Sequence, residues 1–377
     1  MPADRPGAMG SGTVKVLAFV LPQFHRIAEN DAWWGEGFTE WTNVRKARAY
    51  FPGHLQPRVP AGQRYYDLLD PEVHDWQADL ARTHGLYGFC YYHYWFNGVR
   101  LLDKPVELLL QRGKPEIPFC LAWANEPWTR AWDGGDREVL MPQSYGDESD
   151  WVRHFECLLQ SFRDPRYIRV EGRPMFLIYR SASIEVCDRM LACWRTLAER
   201  AGLPGLHVVS MLTGFAPDPR PELFDAFAEF EPAYTFTHRR PYWLRKRERW
   251  VKKITKLTRQ VFGRVSRPPN SYDYGALWRA IADRPLPPRT YPGAFVDWDN
   301  SPRRGLERSM IMRNFDRRAF ELGLRAQLRK ALEARAPFVF INAWNEWAEG
   351  AYMEPDEARG TFFLDTLRAA MAEVAER

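Results

Sequence analysis

Eight short apolar runs punctuate the chain, and between most of them apolar residues recur at helical spacing. The runs fall at 14–21, 86–96, 118–125, 174–180, 206–212, 226–232, 294–298 and 337–342. They are rich in β-branched and aromatic residues, several are entered through a proline, and at this length they read as buried strands. One helix is predicted to start at Asp70 with Pro71 in its first turn, to bury Val73, Trp76 and Leu80, and to stop before Gly85. Others are expected at 105–111, 150–162, 185–201, 274–283, 315–335 and from 362 onward. Strands alternating with helices specify a parallel sheet. Eight of them predict closure into an α/β fold, a (β/α)8 TIM-like barrel with extended βα loops and one basic helical insertion. An open doubly wound sheet is the alternative. Neither Gly-x-Gly-x-x-Gly nor a P-loop follows the first strand, so its nucleotide-binding versions get no support.

Size and composition agree with one domain. The chain has 377 residues, 45% hydrophobic and 27% charged, enough for a large core. Residues 1–12 are small, polar and rich in Pro and Gly, and are expected to be a disordered tail, leaving 13–377 as a single catalytic domain. That tail lacks the apolar core of a secretory signal, and no apolar run approaches the roughly 18–20 residues of a membrane span. The five cysteines (Cys90, Cys120, Cys157, Cys187, Cys193) show no metal spacing, and Cys90 and Cys120 lie in strand-like runs as small hydrophobes. A reducing cytoplasm is the expected location.

Charge changes the picture in one place. Residues 239–267 hold twelve Lys/Arg and a single acid, Glu248, whereas the rest of the chain is net acidic. A local patch of this kind argues against general nucleic-acid binding. Within it Trp243, Trp250, Ile254, Leu257 and Val261 share one helical face, with Lys and Arg on the others. Such a helix suits the headgroup region of an anionic membrane, and packing on the barrel is the competing expectation.

In a barrel, chemistry belongs at the C-terminal ends of the strands and in the loops after them. Ten of the sixteen tryptophans occupy those places: Trp33, Trp34, Trp41, Trp95, Trp123, Trp128, Trp132, Trp298, Trp344 and Trp347. Polar candidates at the same ends are Gln23, His25, Glu40, Tyr92, His93, Asn125, Glu126, Asp133, Glu231, Asp297, Asp299 and Asn345. The last strand runs into Glu346 and Glu349, three apart and closed by Gly350. Indole faces suit the C–H face of a pyranose, and paired carboxyls can move protons on both sides of a glycosidic bond. An acidic, aromatic cup of this kind fits a neutral polyhydroxylated ligand, because a phosphate site would show glycine-rich turns and converging Arg/Lys. Two simpler expectations stand beside these: His93 as a satisfied barrel histidine, and Asp297-Trp298-Asp299 as a chance resemblance to a metal-binding acid triplet. No histidine shows zinc spacing.

Five motifs in order resemble the WbsX-like family of bacterial surface-polysaccharide loci, which is related to glycoside hydrolase family 99. They are Leu21-Pro22-Gln23-Phe24-His25, Trp33-Trp34-Gly35-Glu36-Gly37-Phe38-Thr39-Glu40-Trp41, Tyr91-Tyr92-His93-Tyr94-Trp95-Phe96, Trp123-Ala124-Asn125-Glu126 and Trp344-Asn345-Glu346-Trp347-Ala348-Glu349-Gly350. The resemblance spans about 14–367 and implies a metal-free, cofactor-free barrel that retains anomeric configuration. It implies that Glu346 deprotonates the sugar 2-hydroxyl to give a 1,2-anhydro intermediate. Glu349 then serves as general acid and later as base for the acceptor. Substrate contacts are expected from Gln23, His25, Trp34, Glu40, Trp41, Tyr92, His93, Trp95, Trp123, Asn125, Glu126, Trp128, Asp133, Glu231, Asp297, Asp299, Trp344, Asn345 and Trp347. Pro127 stands where the family pattern has Asn, which bears on acceptor recognition. The implied substrate is a glycan or lipid-linked oligosaccharide, used in hydrolysis or transfer. An inactive glycan-binding barrel and a metal-dependent nucleotide-sugar transferase are the alternatives.

Overall fold

The computed structural model describes residues 14–130, 138–238 and 270–375. The apolar runs form eight barrel strands: β1 (Lys15–Val20), β2 (Gly88–Phe96), β3 (Phe119–Trp123), β4 (Arg173–Ile178), β5 (His207–Leu212), β6 (Ala226–Glu229), β7 in two segments (Thr290–Tyr291 and Gly293–Phe295) and β8 (Phe338–Asn342). They pair in sequence order, all parallel, and β8 returns to β1 with Val16 opposite Val339 and Ala18 opposite Ile341. Pro292 explains the divided seventh strand. A proline has no N–H for a ladder, so the strand breaks there. Thr290–Tyr291 pairs with β6 and Gly293–Phe295 with β8, while the Pro292 carbonyl accepts from Phe340 N at 3.0 Å. Closure therefore runs through both halves. The apolar run at 294–298 marked only the second of them.

Among the described residues the helices are α1 (Ala28–Trp34), α2 (Glu40–Lys46), α3 (Pro71–Thr83), α4 (Lys104–Arg112), α5 (Glu148–Arg163), α6 (Cys187–Arg200), α7 (Ala233–His238), α8 (Tyr274–Ala282), α9 (Ser301–Arg308), α10 (Arg317–Glu333) and α11 (Phe362–Ala375). Local chemistry starts several of them. The Asp70 side chain accepts from Glu72 N ahead of Pro71 in α3, and Asp147 does the same for Ser149 and Asp150 in α5. The stretch after β1, which reads as an aromatic loop, is instead α1 and α2. Each is too short for helical periodicity to register, and α2 is started by a capping box between Thr39 and Thr42.

Strand alternation sorts β2 into two faces. Tyr92 and Tyr94 face the barrel interior, and Phe19 of β1 stacks on the Tyr92 ring at 5.7 Å and on Phe340 at 5.4 Å. His93 and Trp95 face outward to α5, where the Trp95 ring lies on His154 with an interplanar angle of 2°. Trp123 of β3 and Trp194 of α6 close the same cluster. Burying an indole removes about 150–250 Å² from water, or about 4–6 kcal/mol of transfer free energy. Strand-to-helix packing therefore draws tryptophans inward strongly. On the other side α8 and α10 approach closely because residue 323 is glycine, where a Cβ would lie 2.1 Å from Cε3 of Trp278.

All five cysteines are free, with Cys90, Cys120 and Cys187 buried. No helix among the described residues is long and apolar enough to cross a membrane. The basic stretch 239–267, with its amphipathic pattern, lies outside the described residues, as do Trp132 and Asp133.

Candidate active site

A cavity of about 510 Å³ opens at the C-terminal ends of the barrel strands. All eight strands or the loops after them supply its wall: Leu21 and Gln23 after β1, Tyr92 and Tyr94 on β2, Ala124 and Glu126 after β3, Tyr179 after β4, Phe215 after β5, Phe230 after β6, Trp298 and Asn300 after β7, and Asn342, Glu346 and Glu349 from β8 onward. Arg303 and Arg304 of α9 complete it.

The loop after β8 is held from several directions. Asn345 grips the end of β1, its Oδ1 accepting from Leu21 N at 2.7 Å and its Nδ2 donating to Leu21 O at 3.1 Å. Asn345–Glu346 pairs antiparallel with Ala351–Tyr352, and a single 3-10 turn, Trp347–Glu349, lies between them. Gly350 ends that turn at φ +67°, which glycine adopts without strain, and a Cβ there would press on Arg58 at 3.0 Å. Asp299 N donates to the Glu349 carbonyl at 2.7 Å, and Arg58 donates to the Gly350 carbonyl at 3.2 Å. Glu346 and Glu349 thus sit at either end of one clamped turn.

Their side chains share one guanidinium. Arg303 donates through Nη1 to Glu349 at 2.8 Å and through Nη2 to Glu346 at 3.1 Å and to Glu40 at 2.6 Å. Glu40 is buried behind the pair, and its carboxylate also accepts from Ala348 N in the turn itself. Burial pushes the Glu346 carboxyl up to about 8, with the charges of Glu349 and Glu40 adding to the effect and Arg303 opposing it. The Tyr92 and Tyr179 phenols around it are raised by burial and by nearby carboxylates, so they stay protonated. Glu126 is raised by burial, against the pull of Arg180, whose Nη1 lies 3.2 Å from it. One carboxyl holding a proton at neutral pH, beside two more bonded to the same arginine, is an arrangement suited to acid–base work.

Of the residues singled out in the sequence, Gln23, Tyr92, Glu126, Glu346 and Glu349 face this cavity, and Glu40 reaches it through Arg303. Asn125 and Asn345 act one layer back. Asn125 fastens the Glu126 loop to β4 by accepting from Arg180 N at 2.8 Å and donating to Arg180 O at 3.0 Å. His25 is buried, its Nδ1 donating to the Pro22 carbonyl at 2.9 Å, and burial lowers its pKa. His93 meets His154 Nε2 to Nε2 at 2.9 Å, and burial pulls it down to about 3. It is a neutral histidine on the outer face of the strand.

The tryptophans correct the expectation of one aromatic-lined cup. None of Trp34, Trp41, Trp95, Trp123, Trp128, Trp344 and Trp347 lines the 510 Å³ cavity; of the strand-end tryptophans, Trp298 does. Trp344 packs on Phe89 at 4.9 Å, and Trp95 and Trp123 pack on α5 and α6. Trp34 and Trp128 form a cluster with Trp33 and Tyr94. Trp41 donates to Tyr66 O, and Trp347 stacks on Tyr352 at 3.7 Å and donates to the buried Glu354 at 2.7 Å. The reason is energetic: an indole buried against a helix gains more than one left at a wet rim. Tyrosines and phenylalanines from the inward positions make the wall instead.

Three acids also lie elsewhere. Glu231 is fully buried, bonded to Thr235 and paired with Arg284 at 2.9 Å. Asp297 and Asp299 border a separate cavity of about 450 Å³. Burial would raise the Asp297 carboxyl, but Arg58 and Arg359 outweigh it and hold it low, at 2.9 and 2.7 Å. Asp299 is engaged by His54 and Gln56, both at 2.8 Å. Asp297 is thus occupied by two arginines and Asp299 by His54 and Gln56, and among the described residues no cluster of three or more His, Cys, Asp or Glu is placed to hold a metal. Sequence reading missed Arg303, Arg304, Tyr94, Tyr179, Phe215 and Phe230. The period-2 alternation of β2 pointed to Tyr94 once Tyr92 was chosen. Nothing local marked Arg303.

The site is thus a closed parallel barrel with acids, an arginine fork and aromatic walls gathered at its C-terminal mouth. Residues 16–367 match the family described as Glycosyltransferase WbsX, and the chain belongs to that family. It is 38% identical over 366 residues to the protein named WxcX of Xanthomonas campestris pv. campestris strain B100, and equally to its counterpart in strain ATCC 33913. That match covers 96% of this chain and 50% of the relative, so the chain spans about half the length of the curated relatives it matches. The fold is similar to a glycoside hydrolase-like protein (TM-score 0.58, 11% identity, 98% of this chain and 97% of that one). It is also similar to a glycoside hydrolase family 99 endo-α-mannosidase from Bacteroides thetaiotaomicron (TM-score 0.53, 14% identity, 97% and 99%).

Proposed function

We propose that the chain makes or breaks a glycosidic bond with retention, using Glu346 and Glu349 as its working pair. The observation that carries this reading is the Arg303 fork, which holds both carboxyls at one cavity while burial lifts Glu346 to about 8. Glu346 takes the proton from the sugar 2-hydroxyl as that oxygen closes on the anomeric carbon, and Glu349 protonates the departing oxygen. The 1,2-anhydro sugar is then opened by water or a sugar hydroxyl. The incoming proton passes to Glu349, and Glu346 returns its own to O2. A base with a pKa near 8 is stronger than an ordinary carboxylate, which suits a weakly acidic hydroxyl. Only roughly a tenth of it is ionised at pH 7.

The likeness to endo-α-mannosidases favours a mannose-configured sugar, and kcat/KM on an activated α-mannoside tests the roles. The step needs one proton on the pair, on Glu349, so kcat/KM is expected to fall about tenfold per pH unit above about pH 8, where that proton is lost. A profile that rises through pH 8 and levels above it would mean that no proton on the pair is needed, and would remove Glu349 from the acid role.

The finer setting is surface-polysaccharide synthesis on a lipid-linked glycan, with residues 239–267 meeting an anionic membrane at the cytoplasmic face. Twelve basic residues in that stretch, each contributing on the order of 1 kcal/mol near such a surface, support the reading. Co-sedimentation with vesicles containing anionic lipid is expected at low salt, and its loss when Trp243, Trp250 and Ile254 become Ser. No binding at low salt removes the membrane from the proposal.

A further inference from the structure

The cavity that holds Glu346 and Glu349 has two unlike walls. The stretches after β7 and β8 bring the polar one, with Asn300, Arg303 and the two carboxyls. In a ring of eight strands β4 stands opposite β8 and β5 opposite β1, and this far side is aromatic. Phe230 after β6, Tyr179 after β4 and Phe215 after β5 meet edge to face, with the Tyr179 ring centred 5.4 Å from Phe230 and 6.2 Å from Phe215. Burial falls along this row. Phe230 is 6% exposed, Tyr179 is half-buried and Phe215 is 40% exposed. The rings thus climb from the floor, where Glu346 is buried, to the mouth.

A single exposed apolar side chain is ordinary on a protein surface. Phe215 differs in two respects. It is the only exposed phenylalanine, tyrosine or tryptophan among the described residues, and it stands in the wall of this cavity. It is also fixed. Its N donates to Thr213 Oγ1 at 3.2 Å, its carbonyl accepts from His238 Nε2 at 2.7 Å, and the Arg180 guanidinium lies over one face of the ring, 3.9 Å from its centre. Arg180 is itself held, by Asn125 at its backbone N and O and by Glu126 at 3.2 Å. An aromatic side chain has only two χ angles to lose, and backing one face leaves the other as a preformed platform.

Depth decides which sugar this platform meets. The reacting ring must reach Glu346 at the floor, whereas Phe215 is the outermost ring of the row, and a cavity of about 510 Å³ has room for more than one pyranose. We propose that Phe215 is a specificity-determining residue: it stacks on the C–H face of a sugar next to the reacting one, so that the site selects a glycan chain over a single sugar. The hydroxyls of that second sugar stay in water at the mouth, and only its apolar face is covered. This inference rests on the reading of the cavity as a sugar site and adds to it the length of the substrate.

Isothermal titration of the full chain with methyl α-mannoside and with a thio-linked α-mannotriose, whose sulfur bridges resist cleavage, tests it. In the unaltered protein the trimer binds about tenfold more tightly, the scale of one stacked ring. Phe215→Ala loses about tenfold on the trimer and stays within about twofold on the methyl glycoside. Phe215→Trp, which keeps a stacking plane, holds the trimer within about threefold of the unaltered protein. Because the position is exposed, neither change moves the melting temperature by more than about 3 °C. Equal affinities for the two probes in the unaltered protein, a trimer affinity indifferent to Phe215→Ala, or equal losses on both probes overturns the inference and leaves the sugar site standing. A larger fall in melting temperature does the same, since it makes the ring a packing residue. If neither probe binds, the mannoside reading of the cavity fails and the inference falls with it.

Discussion

Glu349→Gln and Glu346→Gln are each expected to lower turnover by about 10²–10⁴-fold, the usual effect of removing a positioned acid or base. Neither change should unfold the protein, because an amide oxygen still accepts from Arg303 and the clamps on the turn come from Asn345, Asp299 and Arg58. The two variants differ in their dependence on pH. The Glu346 carboxyl is raised to about 8 in the folded state, above its unfolded value, so the native form keeps a proton that the unfolded chain loses. Its contribution is present at low pH and declines as pH rises toward 8. Glu346→Gln should therefore melt progressively higher than the unaltered protein on going from pH 5 to pH 8. Turnover within tenfold of normal in both variants would remove the pair from catalysis.

Arg303→Met carries the second large effect. Glu40, Glu346 and Glu349 would remain gathered with no cation among them, in a site where the Arg303 side chain is 14% exposed. Removing one partner of a buried ion pair typically costs about 3–5 kcal/mol, because the remaining charge stays out of water. The cost is expected to be about 3 kcal/mol at pH 8 and much smaller at pH 5, where protonation relieves the repulsion. Urea unfolding at the two pH values measures it. Arg303→Lys keeps the charge but not the fork, so it should restore part of the stability and little of the activity. If Arg303→Met is as stable as the unaltered protein at both pH values, the fork is not what holds the acids together.

Much of the barrel was legible because its signals are local. A β-branched apolar run of five to nine residues has one economical use, and Asp70-Pro71 or Asp147 at a helix start acts on neighbours two or three residues away. The exceptions were equally local. Pro292 split a strand that composition presented as short, and α1 and α2 were too brief to show a period.

The spacing of Glu346 and Glu349 at the end of the last strand was likewise set by sequence alone, since three residues and a glycine suffice to place two acids on one turn. Direction was not. Ten tryptophans near strand ends carried no sign of which way each would point, and burial against helices claimed most of them, leaving Tyr92, Tyr94, Tyr179 and Phe230 as cavity wall. Partnership was not legible either. Arg303 meets Glu346 across 43 residues and Glu40 across 263, and Asp297 meets Arg58 across 239. Periodicity and composition report on a residue's own neighbourhood, whereas the field at a buried carboxyl is set by charges that adjoin it only once the barrel closes. Which acid holds the proton, and which arginine joins the three carboxyls, was therefore decided by the tertiary structure.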